Sequence, residues 1–453
     1  MTEPMTRDQR MVLTIAILAS FVSFLDGTVV TVALPAIQED LGGGLTTQQW
    51  VVDAYLVTLG ALILVAGSLS DVLGRLLVLS VGLVGFGITS VAIAAAPSPE
   101  FLIVARALQG VAGALLVPSS LALITANFRD AAQARAIGIW TAATTGAMVA
   151  GPVLGGLFVD FLSWRLAFLI NVLPLAVTLW LVVRLGHRDV RRPGATVDIL
   201  GAVLCTIGLG ASVFALIEQP SLGWRSPAIW GTLTVGVLAF AGFLVRQRLA
   251  RQPMMPLSLF RVRNFWTGNV ATAFVYAALS LNGFVLGVYL QQGAELPATL
   301  AGLATLPVTI LMIAFSSRVG ALAGRWGPRV FMTTGPLLMA AGALLLLTVS
   351  EDFSYWWQVL PSVILFGVGL TLTVSPLTSA ILGAIDESRS GIASAVNNAV
   401  SRVAGLVVIA LLATILGGTL DLDGFHRAAI VTAVLLAAGG ITSFLGIRGR
   451  ARA

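Results

Sequence analysis

Lysine is absent from this 453-residue chain: all 26 of its basic side chains are arginine. That removes the phosphate-gripping lysine of a G-x-x-x-x-G-K-[ST] loop, so no ATPase of that kind is encoded. Cysteine is nearly absent as well. Cys205 stands alone, which excludes an internal disulfide, and its apolar run makes it an ordinary small filler. The two histidines, His187 and His426, fall in connections and offer no metal-ligand spacing, so neither a metal nor another cofactor is expected. Charge itself is scarce: 10% of residues are charged and 57% hydrophobic, with mean hydropathy +0.97. No water-soluble core could bury that proportion, and the chain reads as an all-α polytopic membrane protein. The formal net charge of +6 implies no nucleic-acid partner, because basic residues confined to short loops orient membrane spans instead.

Apolar runs bounded by charge, Gly and Pro recur at about 11–36, 49–69, 76–96, 101–126, 134–159, 164–184, 198–218, 227–246, 265–290, 299–318, 330–350, 355–383, 391–417 and 427–447, fourteen candidate spanning helices. The first is too long for a signal-peptide core and lacks a cleavage site, so it is read as an uncleaved span. Arginine placement supports the count. With the N-terminus inside, 21 of the 26 fall on the cytoplasmic side, Arg165, Arg225 and Arg427 fall outside, and Arg106 and Arg402 lie within spans. A missed helix would scramble that asymmetry, so both termini are expected in the cytoplasm of a multi-pass protein of the cell membrane.

An internal repeat explains the organisation. GSLSDVLGRLLVLSVG at 67–82 aligns without gaps to GALAGRWGPRVFMTTG at 320–335, an offset of 253, with Gly67/Gly320, Leu69/Leu322, Gly74/Gly327 and Gly82/Gly335 identical. Both copies sit in a tight loop between two helices, as two six-helix halves require. The expected domains are therefore 1–185 and 265–453, each a six-helix bundle, with 186–264 a basic linker carrying two extra helices at the periphery.

Polar residues inside the spans are the candidate machinery, because an ionisable group at membrane depth is expensive and needs a purpose or a partner. Asp26 lies within the first run; it cycles a proton, caps a broken helix or pairs permanently with an arginine. Asp53 and Arg106 lie four or five residues inside their runs, at similar depth, with Asp26 somewhat deeper. Arg106, Gln109, Gly110 and Gly113 follow i, i+3, i+4, i+7 spacing and share a face. Ala147, Gly151 and Gly155 recur every fourth residue, with Pro152 and Gly156 beside them, a surface for close helix packing with a built-in bend. Asn269, Tyr276, Asn282, Asn397, Asn398 and Arg402 place polar groups in later spans, satisfied either as helix-to-helix bonds or by substrate.

FLDGTVVTVALPAI, WVVDAYL, GSLSDVLGR, RALQGVAGALLVPSSLALI, GPVLGGLFVDFLSWRLAFLIN and ALIEQPSLGW together resemble, in order and spacing, the fourteen-span drug/proton antiporter branch of the major facilitator superfamily. The resemblance implies a proton-coupled exporter of small amphiphilic compounds, monomeric in the bilayer, powered by the proton gradient. It implies coupling at Asp26, Asp53 and Arg106, and a substrate cavity including Gln109, Asn269, Tyr276, Asn282, Asn397, Asn398 and Arg402. It also implies a gating loop at Gly67, Asp71, Gly74 and Arg75, and an exporter motif at Gly151, Pro152, Gly155 and Gly156. The loop departs from the family pattern at Val72 and Leu76, where basic residues are usual, and at Gly324, which replaces the acid of the second copy. An importer on the same fold is one alternative, against which the motif at 151–156 argues; an exporter of an anionic or zwitterionic metabolite or lipid is another, since Asp26 and Asp53 balance Arg106 and Arg402. A membrane enzyme is disfavoured, because the spans hold no His/Cys/Glu cluster or nucleophile dyad.

Overall fold

The computed structural model describes residues 5–186, 197–385 and 389–448, and every regular element among them is helical. Fourteen helices are long and apolar enough to cross a membrane. They are α1 Arg7–Leu41, α2 Gly44–Leu73, α3 Arg75–Ala94, α4 Pro99–Asn127, α5 Asp130–Phe161, α6 Leu166–Leu185, α7 Ile199–Leu222, α8 Pro227–Leu249, α9 Arg263–Gln292, α10 Ala298–Trp326, α11 Pro328–Thr348, α12 Tyr355–Leu382, α13 Ser390–Ala410 and α14 Leu422–Gly446. The run expected at 391–417 is not continuous: α13 ends at Ala410 and a short turn, Leu412–Leu416, follows it. His187 and most of the basic connection after α6 lie outside the described residues.

Local chemistry sets the helix ends. Thr6 and Gln9 form a reciprocal capping box at α1, Ser98 caps α4 ahead of Pro99, and Asp421 accepts the Gly424 N–H at 2.7 Å to start α14. Between α2 and α3 the chain reverses at Gly74, whose φ of +110° suits glycine, and its N–H bonds Ser70 O at 3.0 Å. Gly327, 253 residues later, has φ +85° and bonds Ala323 O at 2.9 Å. The weak sequence repeat is thus a repeat of backbone geometry.

The same offset extends well beyond the loop. Shifted by 253, Gly44–Leu73 falls on 297–326 against α10 at Ala298–Trp326, and Arg75–Ala94 falls on 328–347 against α11 at Pro328–Thr348. Packing repeats with it. In the first half α1 packs on α5 and α6, α2 and α3 on α4, and α3 on α6. In the second, α9 packs on α13 and α14, α10 and α11 on α12, and α11 on α14. Each half has its own apolar core, around Leu79, Leu83, Phe86 and Leu116 in one and Met339, Phe366 and Leu436 in the other.

The structure divides into two compact units, Met1–Ser212 with Gly231–Met254, and Val213–Trp230 with Met255–Ala453. The division runs through the α7–α8 hairpin. Its Asp198 end belongs to the first unit and its Trp224–Trp230 turn to the second. Within the first unit Gly208 of α7 lies against the Phe240 backbone of α8, and Gly210 reaches Val57 of α2.

Candidate functional site

The helical spacing of Arg106 and Gln109 turns both side chains to the same side of α4, where they meet Asp26 at the centre of α1. Arg106 Nη1 donates to Asp26 Oδ2 at 2.7 Å and also reaches Gln109 Oε1. Gln109 Nε2 donates to Asp26 Oδ1 at 3.2 Å and to Ser90 Oγ of α3 at 3.0 Å. Asn171 Nδ2 donates to Asp26 Oδ1 at 3.1 Å. All five residues are buried, Asp26 at 0% and Arg106 at 2% exposure. Arg106 Nε bonds the Val51 carbonyl at 3.0 Å, and its guanidinium carbon sits 4.3 Å from the centre of the Tyr55 ring. A carboxylate that accepts from three side chains and faces an arginine is compensated in charge and in hydrogen bonding, which is the condition for burying it.

Depth along the helices puts Arg106 level with Asp53 and leaves Asp26 only somewhat deeper; the structure pairs Arg106 with Asp26. An arginine side chain reaches about 6 Å, some four residues of helical rise, so depth along a helix does not choose between two acids. Asp53 stands apart. It is 0% exposed on α2, and neither carboxylate oxygen has a hydrogen-bond partner among the described residues. Gln49, Asp53 and Val57 follow at four-residue spacing and are all buried, a covered face of α2 that meets α7 at Val57.

Ser90, Asn171 and Tyr55 were not singled out in the sequence. Asn171 sits where α6 is interrupted after Leu169, and that break turns its amide toward Asp26. The available signal was a lone asparagine closing the run SWRLAFLIN.

The glycines of α5 lie against α1 one turn from Asp26. A Cβ on Gly151 would stand 2.0 Å from Thr28 Oγ1 and 3.1 Å from Leu25 O; one on Gly155 would stand 2.9 Å from Val29 Cγ2. Pro152 lies within α5 and Gly156 is buried. In the gating loop Gly67 faces open space, Gly74 makes the reversal and Arg75 opens α3, while the Asp71 side chain lies outside the description.

The second unit joins its polar residues differently. Asn397 Nδ2 donates to Thr272 Oγ1 at 2.8 Å and to Asn269 Oδ1 at 3.2 Å, tying α13 to α9. Asn269 in turn donates to Phe265 O at 2.9 Å. Asn282 lines a narrow cavity with Val285, Phe425 and Thr432. Tyr276, Asn398 and Arg402 are half-buried. Gln109 belongs to the Asp26 network and not to this group. No group of three or more metal-ligating side chains occurs among the described residues.

Residues 16–409 match the family described as Major Facilitator Superfamily. The chain is 35% identical to puromycin resistance protein pur8 of Streptomyces alboniger, over 90% of this chain and 81% of that protein. It is 34% identical to the methylenomycin A resistance protein of Bacillus subtilis, over 89% and 87% respectively. It is 35% identical to the multidrug efflux pump LfrA of Mycolicibacterium smegmatis, over 86% and 77%. Among solved structures, the D-xylose-proton symporter matches with a TM-score of 0.70 over 97% of this chain and 98% of that one, at 14% identity, a likeness of fold alone.

Proposed function

The chain belongs to the major facilitator superfamily, as a multi-pass membrane transporter, and from that premise we propose that it exports small amphiphilic compounds in exchange for protons. The observation that carries this reading is the pair of buried carboxylates, Asp26 and Asp53, in adjacent helices of an apolar bundle, one compensated and one without a hydrogen-bond partner among the described residues. An ionisable group at membrane depth is costly, and in a transporter it marks a substrate or proton pathway or a buried ion pair. The relatives named for puromycin and methylenomycin resistance and for multidrug efflux support the direction and the substrate class. The proton gradient would supply the energy, with both termini in the cytoplasm, a single chain as the working unit and no cofactor. The gating loop at Gly67, Asp71, Gly74 and Arg75 would latch one state of the alternating cycle, and the Gly151, Pro152, Gly155 and Gly156 stretch would keep α5 close to α1 as it moves.

Expression in a pump-deficient bacterial host tests this. Raised resistance to puromycin, methylenomycin or ethidium, abolished by a protonophore, is the expected result. Sensitisation to the same compounds would instead identify an importer, and resistance untouched by the protonophore would remove proton coupling.

A further inference from the structure

The two halves differ at one matching corner, where the end of the first helix of each half meets the connection into its fourth helix and the start of its sixth. In the first half that corner is clasped shut. Asp40 Oδ2, at the end of α1, accepts from Trp164 Nε1 at 2.9 Å and from Arg165 Nη1, and Arg165 Nη2 donates to the Ala96 carbonyl at 3.3 Å. The 253-residue offset puts Gly293 at the position of Asp40, and Gly417 and Gly418 at those of Trp164 and Arg165. Without clasp side chains, the second half keeps a cavity of about 380 Å³ here, bordered by Tyr289 of α9, Glu351 and Phe353 between α11 and α12, and Leu420, Asp421 and Leu422 where α14 begins. That volume suits a small organic molecule.

Two polar groups border this cavity without a partner. Tyr289 is only 6% exposed; its ring stacks on Phe425 with centroids 4.1 Å apart, and a Cβ on Gly293 would stand 2.5 Å from its Cε2. The ring is thus covered by its neighbours, and what it offers the cavity is a hydroxyl that makes no hydrogen bond among the described residues. A polar atom on so buried a side chain calls for one. Glu351 likewise makes no ion pair or side-chain hydrogen bond among the described residues. Asp421 adds a second carboxylate, engaged by the Gly424 N–H and the Thr419 hydroxyl. Acids prevail at this end of the second half: Glu295, Asp352 and Asp423 join these two, while Arg427 bonds the Leu416 carbonyl.

The lining selects the ligand. An anion is repelled. A hard divalent ion takes about six oxygens, and here two carboxylates, one already bonded, stand among aromatic and leucine side chains. An alkylammonium carries several N–H donors on one positive charge, which can bridge a carboxylate and a hydroxyl oxygen while its hydrocarbon body lies on apolar walls. We propose that this cavity binds an amphiphilic primary amine, with the ammonium between Glu351 and Tyr289 and the apolar body against Phe353, Leu420 and Leu422. The site uses none of the residues assigned above to coupling or to the substrate cavity. It does not rest on the exporter reading, and in the proposed topology it opens on the outer face.

The test uses the full chain carrying Cys205→Ala and Ser350→Cys, in lipid nanodiscs that leave both faces open. Cys205 is buried and is replaced only to remove background. Position 350 borders the cavity, so its rate of reaction with a maleimide reads occupancy. Phenethylamine is expected to slow labelling several-fold and saturably, whereas tetraethylammonium, with the charge but no N–H, and magnesium should leave the rate unchanged. Adding Glu351→Gln should raise the half-protecting concentration about tenfold, and adding Tyr289→Phe, which keeps the ring stack, about fivefold, each read against its own unprotected rate. Protection unaltered by both substitutions, or equal protection by tetraethylammonium, overturns the amine site. Protection by magnesium at lower concentration than by the amine also overturns it, in favour of a metal site. Labelling requires neither transport nor sidedness, so failure of the exporter reading would show in the resistance assay and leave this result untouched.

Discussion

The two six-helix halves share helix boundaries, packing partners and the glycine reversals at Gly74 and Gly327, but they are polar in different ways. The first half buries Asp26, Arg106 and Asp53; the 253-residue offset carries these onto Leu279, Val359 and Leu306. The second half uses amides. Asn397, Asn269 and Thr272 join α13 to α9, where the first half has Thr144, Ala16 and Ala19 and instead draws α5 onto α1 through Gly151 and Gly155. One architecture thus stands with buried charge and without it. The architecture itself therefore does not call for charge at these positions.

The largest expected effect comes from breaking the charge pair on one side only. Arg106→Val leaves Asp26 buried without its counter-ion and should cost about 3–5 kcal/mol. The double variant Asp26→Leu with Arg106→Val writes in the residues found at 279 and 359 and should recover most of that loss, while transport stays dead. Thermal unfolding in detergent measures the first and ethidium efflux the second. A double variant as unstable as the single one would mean that the first half cannot adopt the apolar solution of the second, and the comparison would fail.

Next in size is the glycine contact. Gly151→Leu and Gly155→Leu each drive a side chain into α1 at Thr28, Leu25 or Val29, and overpacking of that kind costs about 1–3 kcal/mol. Membrane insertion should survive and efflux should fall, because the displaced turn of α1 adjoins Asp26. Pro152→Ala should be milder. Full efflux by both leucine variants would show that close approach of α5 to α1 serves spacing alone. The amide solution of the second half should be more forgiving: Asn397→Ala removes two interhelical bonds and should lower stability by about 1–2 kcal/mol. A drop as large as that of Arg106→Val would erase the contrast between the halves.

The fourteen spans and the repeat were legible because hydropathy, arginine placement and glycine spacing are properties of the chain taken one residue at a time. The site was legible only as an inventory. Asp26, Asp53, Arg106 and Gln109 stand out as polar residues in apolar runs, but their depth says little about their azimuth, and azimuth decided that Arg106 meets Asp26. Ser90 and Asn171 escaped notice because each is a single small polar residue without a periodic companion, and Asn171 reaches Asp26 through a helix break that composition does not announce. Asn397 could be read as glue or as substrate contact, and only its geometry against Thr272 and Asn269 shows what it bonds.

The smallest effect belongs to the α7–α8 hairpin, which has no counterpart in either half. Asp198, just before α7, closes it. Its Oδ1 accepts the Gly201 N–H and Arg246 Nε, each at 3.0 Å, and its Oδ2 accepts Gln247 Nε2 at 3.2 Å. Burial acts to raise the pKa of Asp198, but the bonds from Gly201, Arg246 and Gln247 and the charge of Arg246 outweigh it, so the group is held below the ordinary carboxylate value. A folded-state pKa below that of the unfolded chain means that the unfolded form takes up the proton first. The stabilisation is therefore complete above the unfolded value, about pH 4, and is lost as pH falls through the lower folded value. Because Arg246 is 40% exposed and its attraction is screened, the contribution at neutral pH should stay below about 1 kcal/mol. Asp198→Asn should lower the thermal midpoint slightly at pH 7 and make no difference at strongly acidic pH, where the wild-type group is itself protonated. Protease cleavage of the hairpin, followed against pH in both proteins, checks this. A wild-type hairpin that became more resistant as the pH dropped below 4 would reverse the sign and show that Asp198 is not what holds α7 to α8.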